Sequence, residues 1–179
     1  MGFPKALLEY EGETFLDRLA GLFAARCSPV VVVLGAAAEE LRAGARRDAS
    51  FVVNPNWRMG QTGSMQCGLR AVPATAEGVL FTLVDHPSVR PETLDALLAG
   101  PAKALVRVPR YQGRRGHPIW FSRALIPEFL ALEESGAARD VVRAHAAETE
   151  FLDLDDPAVV ADIDDPEAYR ALRVGRGAR

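Results

Sequence analysis

Gly78-Val79-Leu80-Phe81-Thr82-Leu83-Val84-Asp85-His86-Pro87 decides the fold. It is an apolar run that stops on a carboxylate and is broken by a proline, which is how a buried strand of an open α/β sheet ends. In such sheets ligands bind beyond the carboxyl ends of the strands, so an acid at that point faces substrate or metal rather than core. Asp85 is therefore the first candidate site residue. The same spacing also suits an Asp that starts a turn or caps the next helix.

Working outward, Ser28-Pro29-Val30-Val31-Val32-Val33-Leu34-Gly35 carries four consecutive valines without alternation, the pattern of a strand buried on both faces in a parallel sheet. Before it, Phe15, Leu19, Leu22 and Phe23 recur at helical spacing, with Glu13 and Thr14 as start signals. After it, the pattern predicts a short helix over 36–45 and a strand over 50–53. A strand over 79–84 then leads to a helix over 91–99, with Pro91 in its first turn. Short strands are predicted over 104–108 and 117–121, helices over 124–132 and 138–145, a strand over 149–154 and a last helix over 166–172. Strands alternating with helices of these lengths imply an α/β fold, a mostly parallel Rossmann-like sheet with helices on both faces. One domain over 1–174 is expected, with 175–179 as a disordered tail.

Composition narrows the function. The 179 residues are 49% hydrophobic with a net charge of -3, so there is no basic excess to hold a nucleic-acid polymer by counterion release. No apolar run is long enough to span a bilayer and no secretory signal opens the sequence, so a cytoplasmic protein without a membrane partner is expected. Cys27 and Cys67 are isolated thiols, expected to be reduced and buried. His86, His117 and His145 are scattered, which argues against a histidine metal site unless folding brings two together.

Five segments occurring in order resemble the MobA-like NTP transferase family, especially its molybdenum cofactor cytidylyltransferase branch. They are Met1-Gly2-Phe3-Pro4-Lys5 with the apolar residues to Leu8, Asn54 to Trp57 through Gly63-Ser64 to Leu69, Val84-Asp85-His86-Pro87, Arg114-Arg115-Gly116-His117-Pro118, and Asp162-Ile163-Asp164-Asp165-Pro166-Glu167. The resemblance implies a nucleotide-diphospho-sugar transferase-like fold. In that family a first strand runs into a loop of the form L-A-A-G-x-S-x-R-M-G-x-x-K, whose N–H groups hold a triphosphate. The present sequence opens at the Met-Gly of that motif. It keeps Gly2 and Lys5 and lacks the preceding strand and loop glycine. The expectation is an empty place in the sheet between the strand at 30–34 and the strand at 79–84, unless the natural chain starts upstream, the sheet closes up or another molecule pairs there.

By the same resemblance Asp85 is a Mg²⁺ ligand and catalytic residue, with Asp162 and Asp164 completing the metal site. The chemistry agrees, because Mg²⁺ takes one or two carboxylates together with phosphate oxygens and water. Alternation along a short extended segment puts Asp162 and Asp164 on one face. Asp164 and Asp165 would equally suit a cap on the helix at Pro166. Lys5 is the second catalytic residue, neutralising phosphate charge; its ordinary alternative is a solvated lysine. Gly2, Lys5, Gly63 and Ser64 are assigned to the nucleotide, with the helix expected to begin near Ser64. A plain glycine-rich turn capped by Ser64 accounts for much of that pattern too.

Arg114, Arg115 and His117 are assigned to a second substrate's phosphate, which guanidinium groups grip in bidentate fashion. A solvated charge run and a structural histidine are the competing readings. Trp57 and Trp120 are candidates for an acceptor pocket or for core and rim. The implied reaction transfers an NMP unit from an NTP, CTP ahead of GTP or ATP, to a phosphate-bearing acceptor such as molybdopterin, releasing pyrophosphate. The alternative is a non-catalytic relative acting as a cofactor-binding or molybdoenzyme maturation partner. A homo-oligomer is compatible with either. A serine hydrolase is a poor third, because the Gly63–Gly68 stretch lacks the spacing of a nucleophile elbow.

Overall fold

The structure is a computed structural model that describes residues 4–100, 103–133 and 136–174. Gly2 and the tail 175–179 lie outside the described residues. A hairpin opens the chain, β1 (Glu9–Tyr10) with β2 (Glu13–Thr14). It turns on Glu11 and Gly12, both at positive φ, 58° and 82°. Helix α1 (Phe15–Ala24) starts where the sequence signals it, since the Thr14 hydroxyl accepts the Asp17 N–H at 3.0 Å. Asp17 is buried but satisfied. Its carboxylate accepts the Thr14 hydroxyl and the N–H groups of Arg46 and Arg47, which ties the chain after the second helix to the first.

Strand β3 (Val31–Leu34), helix α2 (Ala38–Gly44) and strand β4 (Ser50–Val53) form a right-sized crossover, and β3 pairs β4 in parallel from Val31↔Ser50 to Leu34↔Val53. Helix α3 (Gln61–Arg70) begins three residues before Ser64, contrary to expectation. The reason is Gly60, which adopts φ 127° and takes the cap position in place of Ser64. Helix α3 lies hard against β3: a Cβ on Gly68 would sit 2.8 Å from Val33 Cγ2.

Strand β5 (Gly78–Phe81) is shorter than the predicted 79–84, and the chain from Thr82 to Pro87 runs on as extended and turn backbone. Next come α4 (Pro91–Ala99), β6 (Val106–Tyr111), β7 (Arg114–Arg115) and β8 (Ile119–Ser122). Helices α5 (Ile126–Ala131) and α6 (Ala138–Ala144), strand β9 (Thr149–Asp153) and helix α7 (Pro166–Val174) complete the described chain. The sheet order is β5-β8-β6-β7 with β9 also on β6. The α/β class holds, but the sheet is mixed. The pairs β3/β4 and β6/β9 are parallel, whereas β5/β8, β6/β8 and β6/β7 are antiparallel.

Alternation along β5 shows which helices cover which face. Val79 and Phe81 pack against the cluster of Met65 and Leu69 from α3, Phe121 from β8 and Phe129 from α5. Leu80, between them, packs against the cluster of Leu19 and Phe23 from α1 and Leu94 from α4. Helices therefore cover both faces, as expected. Phe121 and Phe129 are fully buried with ring centroids 4.6 Å apart.

The expected empty place is present. Among the described residues β3 pairs only with β4 and β5 only with β8, so the strands fall into separate sheets. A cavity of about 420 Å³ lies between, lined by 30–34 on one side and 78–84 on the other. The sheet has not closed up. Cys27 and Cys67 are both free thiols, half-buried rather than buried, and burial raises the Cys27 thiol pKa. No described helix is long and apolar enough to cross a membrane.

Candidate active site

Two distant segments meet just past the end of β5. The chain after Asp156 is folded back by that buried carboxylate, which accepts the Arg90 N–H, the Thr93 hydroxyl at 2.7 Å and the Ala158 N–H. It continues to Ile163, a buried side chain whose N–H donates to the Asp85 carbonyl at 2.9 Å. With Ile163 anchored inward, its neighbours Asp162 and Asp164 are exposed on the outer side. They lie in irregular backbone rather than a strand, but the alternation argument survives. Asp165, not Asp164, caps α7: its carboxylate accepts the N–H groups of Glu167 and Ala168 at 2.8 Å each.

Asp164 is instead paired with Lys5, 2.5 Å from Nζ to Oδ1. The ammonium holds the Asp164 carboxyl below the usual carboxylate range. Asp85 behaves in the opposite way. Burial is the largest influence and raises its pKa, opposed in part by the His86 and Lys5 charges and reinforced by Asp164. Its Oδ1 is buried without a hydrogen-bond partner, and His86 Nε2 lies 3.7 Å away. A desolvated carboxylate oxygen with no donor costs free energy that a cation would recover.

The sequence missed His86. It is 5% exposed, its Nδ1 lies 3.4 Å from the Ala158 carbonyl, and its ring is 5.2 Å from that of His117. The only signal available was its position directly after Asp85. His117 does reach the site, with Nδ1 buried and unpartnered. Burial, and then the neighbouring His86, depress its pKa to about 4, so it is neutral at physiological pH. Its placement depends on Gly116, where a Cβ would fall 1.8 Å from the Val159 carbonyl oxygen, and on the His117 N–H donated to that same oxygen at 2.8 Å.

The other sequence candidates are distributed less tightly. Ser64 sits inside α3, its hydroxyl accepting the buried Asn54 side-chain amide at 3.0 Å, with Asn54 in turn accepting the Asn56 N–H. A Cβ on Gly63 would meet only that Asn54 amide, at 3.7 Å, so this turn of α3 presents an open face. Arg114 and Arg115 are exposed and form β7 itself, and the Arg115 guanidinium lies over the Phe151 ring at 4.5 Å. Trp120 is stacked under the buried Arg107 guanidinium at 3.9 Å, a structural use. Trp57 is partly exposed beside Gly35, where a Cβ would clash with it at 2.6 Å.

The structure brings together Lys5, Asp85, His86, His117 and the Asp162–Asp164 segment. Among the described residues no group of three or more His, Cys, Asp or Glu forms a metal cage. That donor set suits a hard divalent ion completed by substrate oxygens and water, the ordinary habit of Mg²⁺, and not a fully protein-ligated one.

Residues 1–149 match the sequence profile of the MobA-like NTP transferase domain. Among solved structures, Rv0371c from Mycobacterium tuberculosis H37Rv superposes with a TM-score of 0.86 and 29% identity over 97% of this chain and 90% of that one. Its manganese complex gives 0.83 and 30%, covering 96% and 92%. The purine catabolism protein PucB of Bacillus subtilis (strain 168) is 29% identical over 116 residues, 64% of this chain and 56% of PucB. The bifunctional protein GlmU of Xanthobacter autotrophicus is 33% identical over 149 residues, 81% of this chain and 32% of GlmU. The chain thus spans between a third and little over half the length of these curated relatives.

Proposed function

Because the chain belongs to the MobA-like NTP transferase family, we propose that it is a nucleotidyltransferase, moving an NMP unit from an NTP to a phosphate-bearing acceptor with release of pyrophosphate. CTP is the first nucleotide to try, molybdopterin the first acceptor, and the cytoplasm the setting. The observation that carries the reading is Asp85, a carboxylate with a buried, unpartnered oxygen beside Lys5 and Asp164. The manganese complex of Rv0371c supports a divalent metal at a protein of this shape.

When bound, Mg²⁺ would neutralise triphosphate charge and polarise the α-phosphate. Asp85 would hold it, with Asp162 and Asp164 supplying outer oxygens. The Lys5–Asp164 pair is partly exposed, so its rupture costs little. An incoming triphosphate would take Lys5 and release Asp164 towards the cation. The acceptor phosphate then attacks the α-phosphate in line, and no covalent enzyme intermediate is needed. His117, neutral and with an unpaired ring nitrogen, is available to hydrogen-bond a substrate group. Arg114 and Arg115 remain candidates for the acceptor phosphate only if substrate reaches β7.

The open place in the sheet favours a second reading, a non-catalytic cofactor-binding or maturation partner. Calorimetric titration with Mg·CTP separates the two. Transfer requires saturable binding that Asp85→Ala weakens and pyrophosphate release with an acceptor; a partner protein gives neither.

A further inference from the structure

The turn after β5 makes two neighbouring side chains converge. Successive residues of a strand point to opposite faces, so Asp85 and His86 would diverge if the extended backbone simply ran on. Instead the His86 N–H donates to the Leu83 carbonyl at 3.4 Å and closes a turn, which brings His86 Nε2 to 3.7 Å from Asp85 Oδ1. Both side chains are largely withdrawn from water. His86 is 5% exposed, and the Asp85 oxygen is buried with no hydrogen-bond partner.

The other ring nitrogen decides what His86 can do. Nδ1 lies 3.4 Å from the Ala158 carbonyl, and a carbonyl only accepts, so it is Nδ1 that carries the proton of the neutral ring. That carbonyl is itself held in place. The buried Asp156 carboxylate accepts the Ala158 N–H at 3.1 Å, and the His117 ring packs against His86 with centroids 5.2 Å apart. Nε2 is left with a lone pair beside the unpartnered oxygen of Asp85. Their 3.7 Å separation is too long for a hydrogen bond, and it suits two atoms that ligate one ion at roughly 2.0–2.2 Å each.

We propose that His86 Nε2 ligates the divalent ion together with Asp85, a nitrogen and an oxygen from adjacent residues, so that the site prefers a first-row transition ion such as Mn²⁺ to Mg²⁺. Mg²⁺ favours oxygen donors and gives up its water reluctantly, whereas imidazole nitrogen adds affinity for transition ions. Mg²⁺ can still occupy the site, less tightly. An N–H bound to a carbonyl on the far side of the ring is the usual brace of a metal-bound histidine, because it fixes the tautomer and raises the basicity of the ligating nitrogen. His117 Nδ1, also buried and unpartnered, is the competing nitrogen. Among the described residues no three such groups gather around one point, so one imidazole and not two completes the pair. The inference rests on the reading of Asp85 as a metal ligand made above, and adds to it the second donor and the class of ion.

Mn²⁺ alone, added to the full chain and followed by electron paramagnetic resonance, is the probe. Pulsed measurements are expected to show nitrogen modulation of the bound Mn²⁺ signal that changes when the histidines carry heavy nitrogen, disappears in His86→Gln and persists in His117→Asn. Titration should show Mn²⁺ binding weakened about tenfold or more by His86→Gln, while Mg²⁺ binding, followed by calorimetry, changes less than about twofold. Bound Mn²⁺ without nitrogen modulation overturns the proposal, as does modulation lost with His117 rather than His86, or the lack of any saturable Mn²⁺ binding. Isotope labelling leaves the fold untouched, so with His117→Asn it decides the matter even if His86→Gln does not fold. None of these readouts needs a nucleotide. A chain that shows the modulation but transfers no NMP keeps this inference and loses the transfer reading, and one that transfers NMP with an all-oxygen Mn²⁺ site does the reverse.

Discussion

The Ile163 N–H donates to the Asp85 carbonyl at 2.9 Å, joining the turn that follows β5 to a segment 78 residues further along the chain. This bond sets the main-chain distance between the Asp85 carboxylate and the Asp162–Asp164 acids. Replacing Asp85 by Asn keeps the shape but removes the charge. Activity measured as pyrophosphate release is expected to fall roughly hundredfold or more, the scale of losing a principal electrostatic group. The thermal midpoint should stay level or rise, because a desolvated charge without a hydrogen-bonding partner has been removed.

Lys5→Met removes the ammonium that pairs with Asp164. The Asp164 carboxyl, now held below its ordinary range by that contact, should titrate closer to the ordinary carboxylate value, as carboxyl-carbon NMR would record. If Lys5 meets the triphosphate, KM for the nucleotide should also rise about tenfold.

His117 gives a pH dependence with a definite sign. Its folded pKa of about 4 lies below the unfolded value of 6.5, so between these the unfolded chain binds the extra proton. Stability should therefore fall as pH drops from 6.5 towards 4, by up to about 3 kcal/mol. Asp85, with its raised pKa, works the other way over the range above the usual carboxylate value, gaining stability on acidification. Urea denaturation across this range with His117→Asn should flatten the loss, and with Asp85→Asn should steepen it.

Thr14 and the valine run of β3 were legible in the sequence because each is decided locally, by a cap and by an apolar run, whereas the strand before Asp85 ends four residues earlier, at Phe81. The open place between β3 and β5 was an expectation of the family resemblance, not of periodicity or composition. The antiparallel pairing of β5 with β8 was not legible. It depends on where a chain of some forty residues returns, and the short apolar run at Ile119–Ser122 carries no mark of direction. The helix start was misplaced because the cap is made by a backbone angle at Gly60, not by a side chain. His86 was missed because its partner His117 is distant in sequence and only the fold brings the rings together.

Gly116→Ala tests the backbone that places His117. The added Cβ would lie 1.8 Å from the Val159 oxygen, which is main chain and cannot rotate away. A loss of about 3 kcal/mol or more in urea unfolding is expected, with nucleotide binding weakened alongside it.

Asp156→Ala should cost a similar amount, about 3 kcal/mol, because it strands the Arg90 and Ala158 amides and the Thr93 hydroxyl at once. Asp156→Asn, which keeps two acceptor lone pairs, should recover part of that loss in the same unfolding measurement.

The two bare strand edges have a further effect on the protein in bulk. Unsatisfied β-edges recruit any extended polypeptide, including half-unfolded copies of the same molecule. Among the described residues the facing edges of β3 and β5 are such templates, and light scattering from concentrated preparations is the measurement expected to report clumping through them.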